Sequence, residues 1–315
     1  MILVFGSQGQ LGQALQEHIG EAPEHVFLSR DSTDYCGDIT DIAGITQTLM
    51  DLRPEIIINA AAYTAVDKAE SEPAVAEVVN SKAVGAIARI AAKLNSLLIH
   101  YSTDYVFDGS GAKPWKETDP CVPLSVYGRT KLAGEQAITA SGAKHFILRT
   151  SWVYSNHGNN FLKTMLRLAE TREEIQVVSD QWGVPTHVDY LAETTLDLIN
   201  LATPGFGSQT NTPPTWGIYH CAPSGATNWF EYARLVINTA KAHGAASKVK
   251  KITPIKTADY PTAAKRPLNS RLNTEKLQVV LGARASDWQE AVITTVGQVL
   301  LQIENADKET RAYDK

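Results

Sequence analysis

"VFGSQGQLG", residues 4–12, is the stretch on which the fold turns. An apolar run from Ile2 to Phe5 ends at Gly6, and glycines recur at 9 and 12 just where a helical pattern begins. Glycine permits the tight turn, lets backbone N–H groups approach a diphosphate, and lets helix and strand pack closely. The helix N-terminus adds unpaired donors and a partial positive charge. GxxGxxG alone is a weak signal, and a turn without a ligand is the competing reading. Its position between a first strand and a first helix favours a dinucleotide lined by Gly6, Gly9, Gln10, Leu11 and Gly12.

Outward from this turn, short apolar runs alternate with helical patterns, the sign of parallel βαβ units. Strands are expected at 2–5, 25–28, 55–59, 97–102 and 145–150. Between them "QLGQALQEHI", "DIAGITQTLMDL", "AVAEVVNSKAVGAIARIAAKL" and the helix after Ser125 are long enough to be crossovers. The fold class is α/β, a Rossmann-type doubly wound parallel sheet with a smaller C-terminal substrate domain. Residues 1–151 form the dinucleotide-binding part, with some later segments returning to it. Residues 152–305 mainly bind the substrate, and 306–315 form a solvated, frayed tail. Within the second part helices are expected in 158–172, 189–202, 228–244 and 286–303, a strand at "GIYHC", and a Gly/Pro/Thr-rich loop at 203–217.

Composition excludes several classes. A formal charge of −5 leaves no basic footprint for nucleic acid. No stretch approaches the ~18 uninterrupted apolar residues of a membrane span, and no basic segment precedes the first apolar run. The three cysteines, Cys36, Cys121 and Cys221, lie far apart without a CxxC spacing, so neither a disulfide framework nor a zinc site is expected. A cytoplasmic location fits best.

"SVYGRTKLAGE", residues 125–135, places Tyr127 and Lys131 four apart, on one face of a helix. A phenol with its usual pKa near 10 is a poor proton carrier at neutral pH. An ammonium ~5 Å away, at an effective dielectric of about 20, favours phenolate by roughly 3 kcal/mol, about two pKa units. Upstream, "YSTDYVFDG" puts Thr103 at the carboxyl end of the strand 97–102, where open α/β sheets bind ligands. "GSQGQLG", "STDYVFDG" and "YGRTK", in this order, resemble the extended short-chain dehydrogenase/reductase family. The resemblance implies that Tyr127 donates a proton to a carbonyl oxygen, that Lys131 holds the nicotinamide ribose, and that Thr103 binds the same oxygen as Tyr127.

The phrases "NAAAYTAVDKAESEP", "HYSTDYVFDG", "RTSWVYSNHGNNF", "DQWGVPT" and "RPLNSRL" carry the resemblance further, from residue 6 to about residue 272. They are similar to the dTDP-4-dehydrorhamnose reductase family. That likeness implies hydride transfer from NADPH, with NADH usable, to the C4 ketone of a dTDP-4-dehydro-L-rhamnose. It implies a cofactor lined by Ala62, Tyr63, Thr64 and Tyr101, with Asp38 and Ile39 beside the adenine, and a sugar held by Thr103, Asp104 and Trp152. Arg266 and Arg271 are expected at the diphosphate because guanidinium forks match it. The partners implied are a dTDP-sugar, no nucleic acid and no membrane, and a homodimer is left open. A reductase of another nucleotide 4-keto-6-deoxysugar fits the same motifs. A non-catalytic regulatory subunit of this fold is a third reading, opposed by the intact Thr103, Tyr127 and Lys131.

Other conspicuous residues have plainer readings. The carboxylates of "VDKAESEP" read as a polar loop and helix start, and His100 as a hydrogen-bonded core residue. None of the eight histidines pairs at HxH or HxxxH spacing, and the first helix offers only Glu17, so no metal is expected. Cofactor choice falls to Ser29 and Arg30 at the end of the second strand, where an NADH enzyme usually carries an acid. A slip of one or two residues would make Asp31 the discriminating group.

Overall fold

The computed structural model describes residues 1–20, 22–203, 215–282 and 286–313, with side chains described as far as residue 305. Its first half runs β1 (Ile2–Phe5), α1 (Gln10–Ile19), β2 (Val26–Leu28), α2 (Ile42–Leu52), β3 (Ile56–Asn59), α3 (Val66–Ala69), α4 (Pro73–Glu77), α5 (Ala83–Leu94), β4 (Leu97–Thr103), α6 (Val126–Ser141) and β5 (Lys144–Thr150). The second half runs β6 (Val153–Tyr154), α7 (Phe161–Thr171), β7 (Glu174–Val178), β8 (Trp182–Gly183), β9 (Thr186–His187), α8 (Val188–Ala202), β10 (Gly217–His220), β11 (Thr227–Asn228), α9 (Trp229–Ala242), β12 (Lys251–Ile255), α10 (Glu275–Leu281) and α11 (Trp288–Tyr313).

Six strands form one parallel sheet in the order β2-β1-β3-β4-β5-β10. Side chains alternate across a strand: Ile2 and Val4 join the core under α1 and α8, whereas Leu3 and Phe5 join the core under α2, α5 and α6. Covered on both faces, the strands read as continuous apolar runs, and all seven residues of β4 are buried. The chain leaves β1 for β2 on one side and returns through β3 on the other, so the switch point lies beside the Gly6 turn. A second core gathers α7, α9 and α11 around Ile175 and Val177 of β7.

The sheet agrees with the expected class, and the segment "GIYHC" returns to it as the edge strand β10. Several details differ from the sequence reading. The single helix expected over 74–94 carries a π-helical turn at Val78–Lys82. That turn aims the buried Asn80 at Tyr63, whose backbone N–H and C=O it binds at 2.9 and 3.1 Å, and at Thr130 Oγ1 at 3.3 Å. The short strands β6, β8, β9 and β11, of two residues each, are too brief for alternation to reveal, and β12 contains Pro254. The last helix continues to Tyr313, past the point where fraying was expected to begin. Most of the expected loop at 203–217 lies outside the described residues.

Helix α6 is fixed at both ends and in its middle. Ser125 Oγ caps the Gly128 N–H at 3.1 Å, Glu70 Oε1 takes the Val126 N–H at 2.8 Å, and Gly142 closes the helix in the left-handed conformation. Further along, Glu135 accepts from Arg149 of β5 at 2.6 Å and from Ser102 of β4, with both charged side chains only 2% exposed. Removing one member of a buried pair strands the other, at a cost of about 3–5 kcal/mol. Glu135→Ala should therefore lower the urea unfolding free energy by about that amount, and Glu135→Leu with Arg149→Met by much less. A single-variant loss below about 1 kcal/mol would show that this pair does not lock the helix.

Candidate active site

A cavity of about 710 Å³ opens along the carboxyl ends of β1, β3, β4 and β5. At one end lies the glycine turn. Gly6 has φ +85°, and a Cβ there would come within 2.7–2.9 Å of the backbone of Ala60 and Ala61. A Cβ on Gly12 would strike the Gly6 carbonyl at 2.1 Å. Bare backbone is thus required twice, once at the cavity wall and once where α1 packs on the turn. Gly9 precedes α1 without any side-chain cap, so the helix presents open N–H groups to the cavity. This cradle fits the diphosphate of a dinucleotide.

Gly6, Gly9, Gln10, Leu11, Ser29, Arg30, Asp38, Ile39, Ala62, Thr64, Tyr101, Thr103, Asp104, Tyr127, Lys131, Trp152 and Arg266 line the cavity. Gly12, Tyr63 and Arg271 do not. Gly12 packs against the Gly6 carbonyl, and Tyr63 donates its hydroxyl to Glu72 at 2.8 Å. Arg271 lies over the Trp182 ring, 5.6 Å from its centroid, and donates Nε–H to Asn269 at 2.8 Å. Arg266 remains: it pairs with Asp67, and its buried Nε has no partner among the described residues. Asp38 is partly committed, since its Oδ1 accepts from Thr40 at 2.8 and 2.9 Å.

At the cavity floor β4 ends in Thr103, which accepts the Tyr105 N–H at 3.1 Å and donates to Asp104 Oδ1 at 2.9 Å. Asp104 is buried, and its Oδ2 has no partner among the described residues. Burial raises its carboxyl to about 6, while the Ser270 and Thr103 hydroxyls pull the other way. Tyr127, half-buried on α6, packs edge-on to Tyr105 at 5.7 Å. Lys131 Nζ donates to the Tyr101 carbonyl at 2.6 Å. Tyr101 thus offers Lys131 its main chain, while its phenol is engaged with Thr195 Oγ1 at 2.6 Å.

One expectation needs correction. The ammonium of Lys131 was to bring the Tyr127 phenol down by about two units; burial instead pushes the phenol up to about 12, opposed by the hydroxyl of Thr103. Burial also lowers Lys131 to about 8, against the pull of Glu135. Both groups are desolvated, so each tends toward its uncharged form. At neutral pH Tyr127 is a phenol with a proton to give.

On the opposite wall Trp152 adopts φ +48°, a left-handed conformation that costs a side-chain residue roughly 1–3 kcal/mol. It is held there by stacking on Trp229, ring centroids 3.7 Å apart, which also lines the cavity. Trp229 and Arg149 were not singled out in the sequence, and neither was Glu135. Glu135 follows Lys131 by the same four residues that separate Lys131 from Tyr127, a spacing that was available to be noticed. The carboxylates of "VDKAESEP" are structural, as read: Asp67 pairs with Arg266, Glu70 caps α6 and Glu72 takes Tyr63 and Lys68. His100 is a buried, hydrogen-bonded residue. Among the described residues no group of three His, Cys, Asp or Glu is placed to hold a metal, and no helix is long and apolar enough to cross a membrane.

Comparison with known proteins places this geometry. A family model described as the RmlD substrate binding domain matches residues 1–301. The chain is similar to the dTDP-4-dehydrorhamnose reductase of Escherichia coli K12, 49% identical over 92% of this chain and 95% of that one. Among solved structures it resembles a dTDP-4-dehydrorhamnose reductase from Clostridium acetobutylicum, at 34% identity and TM-score 0.83, over 96% of this chain and 99% of the other. It also resembles one from Bacillus anthracis in complex with NADP, at 34% identity and TM-score 0.80, over 96% and 98% of the two chains. With a family match of this extent and relatives this similar, the chain belongs to the RmlD substrate binding domain family, alongside the dTDP-4-dehydrorhamnose reductases.

Proposed function

We propose that this chain is an NADPH-dependent reductase that converts the C4 ketone of dTDP-4-dehydro-L-rhamnose to the alcohol of dTDP-L-rhamnose. The observation that carries the reading is the meeting of Thr103, Tyr127 and Lys131 at the floor of one cavity whose far end is the glycine cradle. The names of the relatives support the substrate, and the NADP in the Bacillus anthracis structure supports the cofactor. When bound, the nicotinamide supplies a hydride to C4. Tyr127 Oη gives its proton to the ketone oxygen, and Thr103 Oγ1 hydrogen-bonds the same oxygen, trading its present partner Asp104 for the substrate. Lys131 orients the ribose hydroxyls. The Asp104 carboxylate accepts a sugar hydroxyl, Trp152 and Trp229 form a flat apolar wall for the deoxysugar, and the guanidinium of Arg266, at the cavity wall, supplies positive charge for the nucleotide diphosphate.

Every residue named here belongs to one chain, so a homodimer would assemble around complete sites. Three free thiols, one of them buried, suit a reducing compartment, and we place the protein in the cytoplasm. A regulatory role without catalysis would not need a buried lysine beside a protonated tyrosine. The direct test is oxidation of NADPH by the full chain with dTDP-4-dehydro-L-rhamnose; no turnover above that seen without the sugar would sink the proposal.

Loss of the proton donor in Tyr127→Phe should lower kcat by about 10²- to 10⁴-fold while leaving NADPH affinity nearly unchanged. A kcat within threefold or so of wild type would remove Tyr127 from the chemistry.

The pH dependence of substrate affinity should report Asp104. Its carboxyl, raised to about 6, is ionised above that pH and takes up a proton as the pH falls through it. A hydrogen bond to a charged group is worth about 1 kcal/mol more than a neutral one, so the sugar KM should rise roughly fivefold from pH 7.5 to pH 5. Asp104→Asn should have the higher KM throughout and lose this dependence. An Asn variant that keeps the same profile would assign the titration elsewhere.

Cofactor choice should follow the end of β2. Ser29 is buried, with its N–H on Ser32 Oγ at 2.9 Å, while Arg30 is exposed at the cavity rim and free to meet a 2′-phosphate. Wild type should have the higher kcat/KM with NADPH, and Ser29→Asp with Arg30→Ala should shift preference toward NADH. If the ratio of the two kcat/KM values does not move, another residue selects, with Asp31 next in line at the rim.

A further inference from the structure

Behind Lys131 lies a row of buried polar groups that the reaction above does not use. Asn59 ends β3 and is the register partner of His100 in β4. Asn59 Nδ2 lies 3.2 Å from His100 Nδ1, and His100 Nε2 lies 3.3 Å from Lys131 Nζ. All three residues are buried, at 2% exposure or less.

The direction of donation along this row is fixed at one end. The Ala61 backbone N–H can only donate, and it donates to Asn59 Oδ1 at 3.2 Å. Asn59 Nδ2, which also only donates, is thereby turned toward the ring. The ring nitrogen that faces a donor must carry the lone pair, so Nδ1 accepts and the proton of the neutral imidazole sits on Nε2. Nε2–H then faces Lys131 Nζ. An ammonium has no lone pair and would set proton against proton, whereas an amine accepts the bond and still donates to the Tyr101 carbonyl.

Reversing the row has a definite consequence. A charged Lys131 donates to Nε2, the ring proton moves to Nδ1, and Asn59 must present Oδ1 to the ring. Ala61 N–H then loses its acceptor. Ala61 lines the cavity beside the Gly6 turn, so a bound molecule can supply a replacement.

We propose that Asn59 and His100 are positioning residues that hold Lys131 as an uncharged amine while the cavity is empty. They reverse as a unit, letting Lys131 become an ammonium, when a bound cofactor provides an acceptor for the Ala61 N–H. Burial favours the amine, lowering Lys131 to about 8, and it depresses His100, whose ring the charge of an ammonium at Lys131 depresses further. Of the charged groups, Glu135, one turn further along α6, favours the ammonium and is itself occupied by Arg149 of β5; Tyr127 stands one turn before Lys131 on the same helix, and Tyr101 of β4 turns its phenol to Thr195. The arrangement deepens the proposed reductase reading, because a lysine charged only in the loaded site leaves Tyr127 protonated until substrate can use the proton.

The test is the tautomer of His100, read by long-range proton–nitrogen correlation on the full chain with nitrogen-labelled histidine. In the free protein near neutral pH His100 should be neutral with the proton on Nε2, and burial keeps it neutral where an ordinary imidazole is charged. His220, the other ring depressed by burial, sits with Nδ1 3.1 Å from the Asn273 carbonyl and must carry its proton on Nδ1. The neutral-ring Nε2–H signal that disappears in His100→Gln is that of His100. Asn59→Asp offers acceptors to both Ala61 and the ring, so it should move the proton to Nδ1 and raise the alkaline limb of kcat/KM by about one pH unit. Saturating NADPH should move wild type in the same direction. An Nδ1–H tautomer or an imidazolium in the free wild type, or a tautomer unmoved by Asn59→Asp, would overturn the proposal. Because the free-protein measurement needs neither turnover nor cofactor, its result stands apart from success or failure of the reductase assay.

Discussion

The buried carboxylate of Glu135 is the constraint on which the site depends. It lies on the same helical stripe as Tyr127 and Lys131, two turns and one turn before it, and it cannot be left unpaired in the protein interior. Arg149 reaches it from β5 and Ser102 from β4, the residue just before Thr103. One carboxylate therefore ties three elements together and sets the rotation of α6 about its own axis. Arg149 is held in turn, its guanidinium 5.1 Å from the centre of the Phe107 ring and 3.2 Å from Cys121 Sγ. A helix free to roll by one residue would carry Tyr127 about 100° away from the cavity; the ion pair forbids it.

The same burial that makes the pair rigid sets the proton chemistry. A lysine lowers the pKa of a neighbouring phenol only to the extent that it is itself charged, and desolvation raises the free energy of either charge alone. In the empty site both groups relax toward neutrality, with the phenol at about 12 and the amine at about 8. An ammonium attracts a phenolate only once loss of the phenol's proton has created the second charge. For a reduction this order is useful. In the proposed reaction the phenol would keep its proton until the carbonyl oxygen demands it, and the charge left behind would be met by the lysine.

Much of the fold was legible because its signals are local and repeated. Apolar runs bounded by turns marked the first five strands, and glycines at strand ends marked the phosphate cradle. What stayed hidden depends on contacts distant in sequence. Arg266 and Arg271 stand five apart in one phrase, yet only the pairing of Asp67 with one and the Trp182 ring beneath the other decide which faces the cavity. Asn59 and His100 each read as ordinary strand residues, and their partnership exists only through the register of β3 on β4. The π turn at Asn80 was illegible for a related reason: nothing in the helical periodicity of 74–94 announces that one side chain must reach Tyr63.

The two cores meet along the cavity, and Gln10 is the joint. It stands at the first position of α1, beside the glycine cradle, and its Oε1 accepts from Ser155 and Asn160, both at 2.9 Å. Asn160 in turn caps α7, the first helix of the second core, by accepting the Lys163 N–H at 3.0 Å. A single side-chain oxygen thus connects the helix that follows the glycine turn to the loop that follows Trp152 and Val153. The left-handed backbone of Trp152 lies in the same short run between β5 and α7, held from the other side by Trp229. Strain at Trp152 is sustained because that run is anchored at both ends, by the sheet before it and by Gln10 after it. The cavity's second wall takes its position from the helix that forms the first.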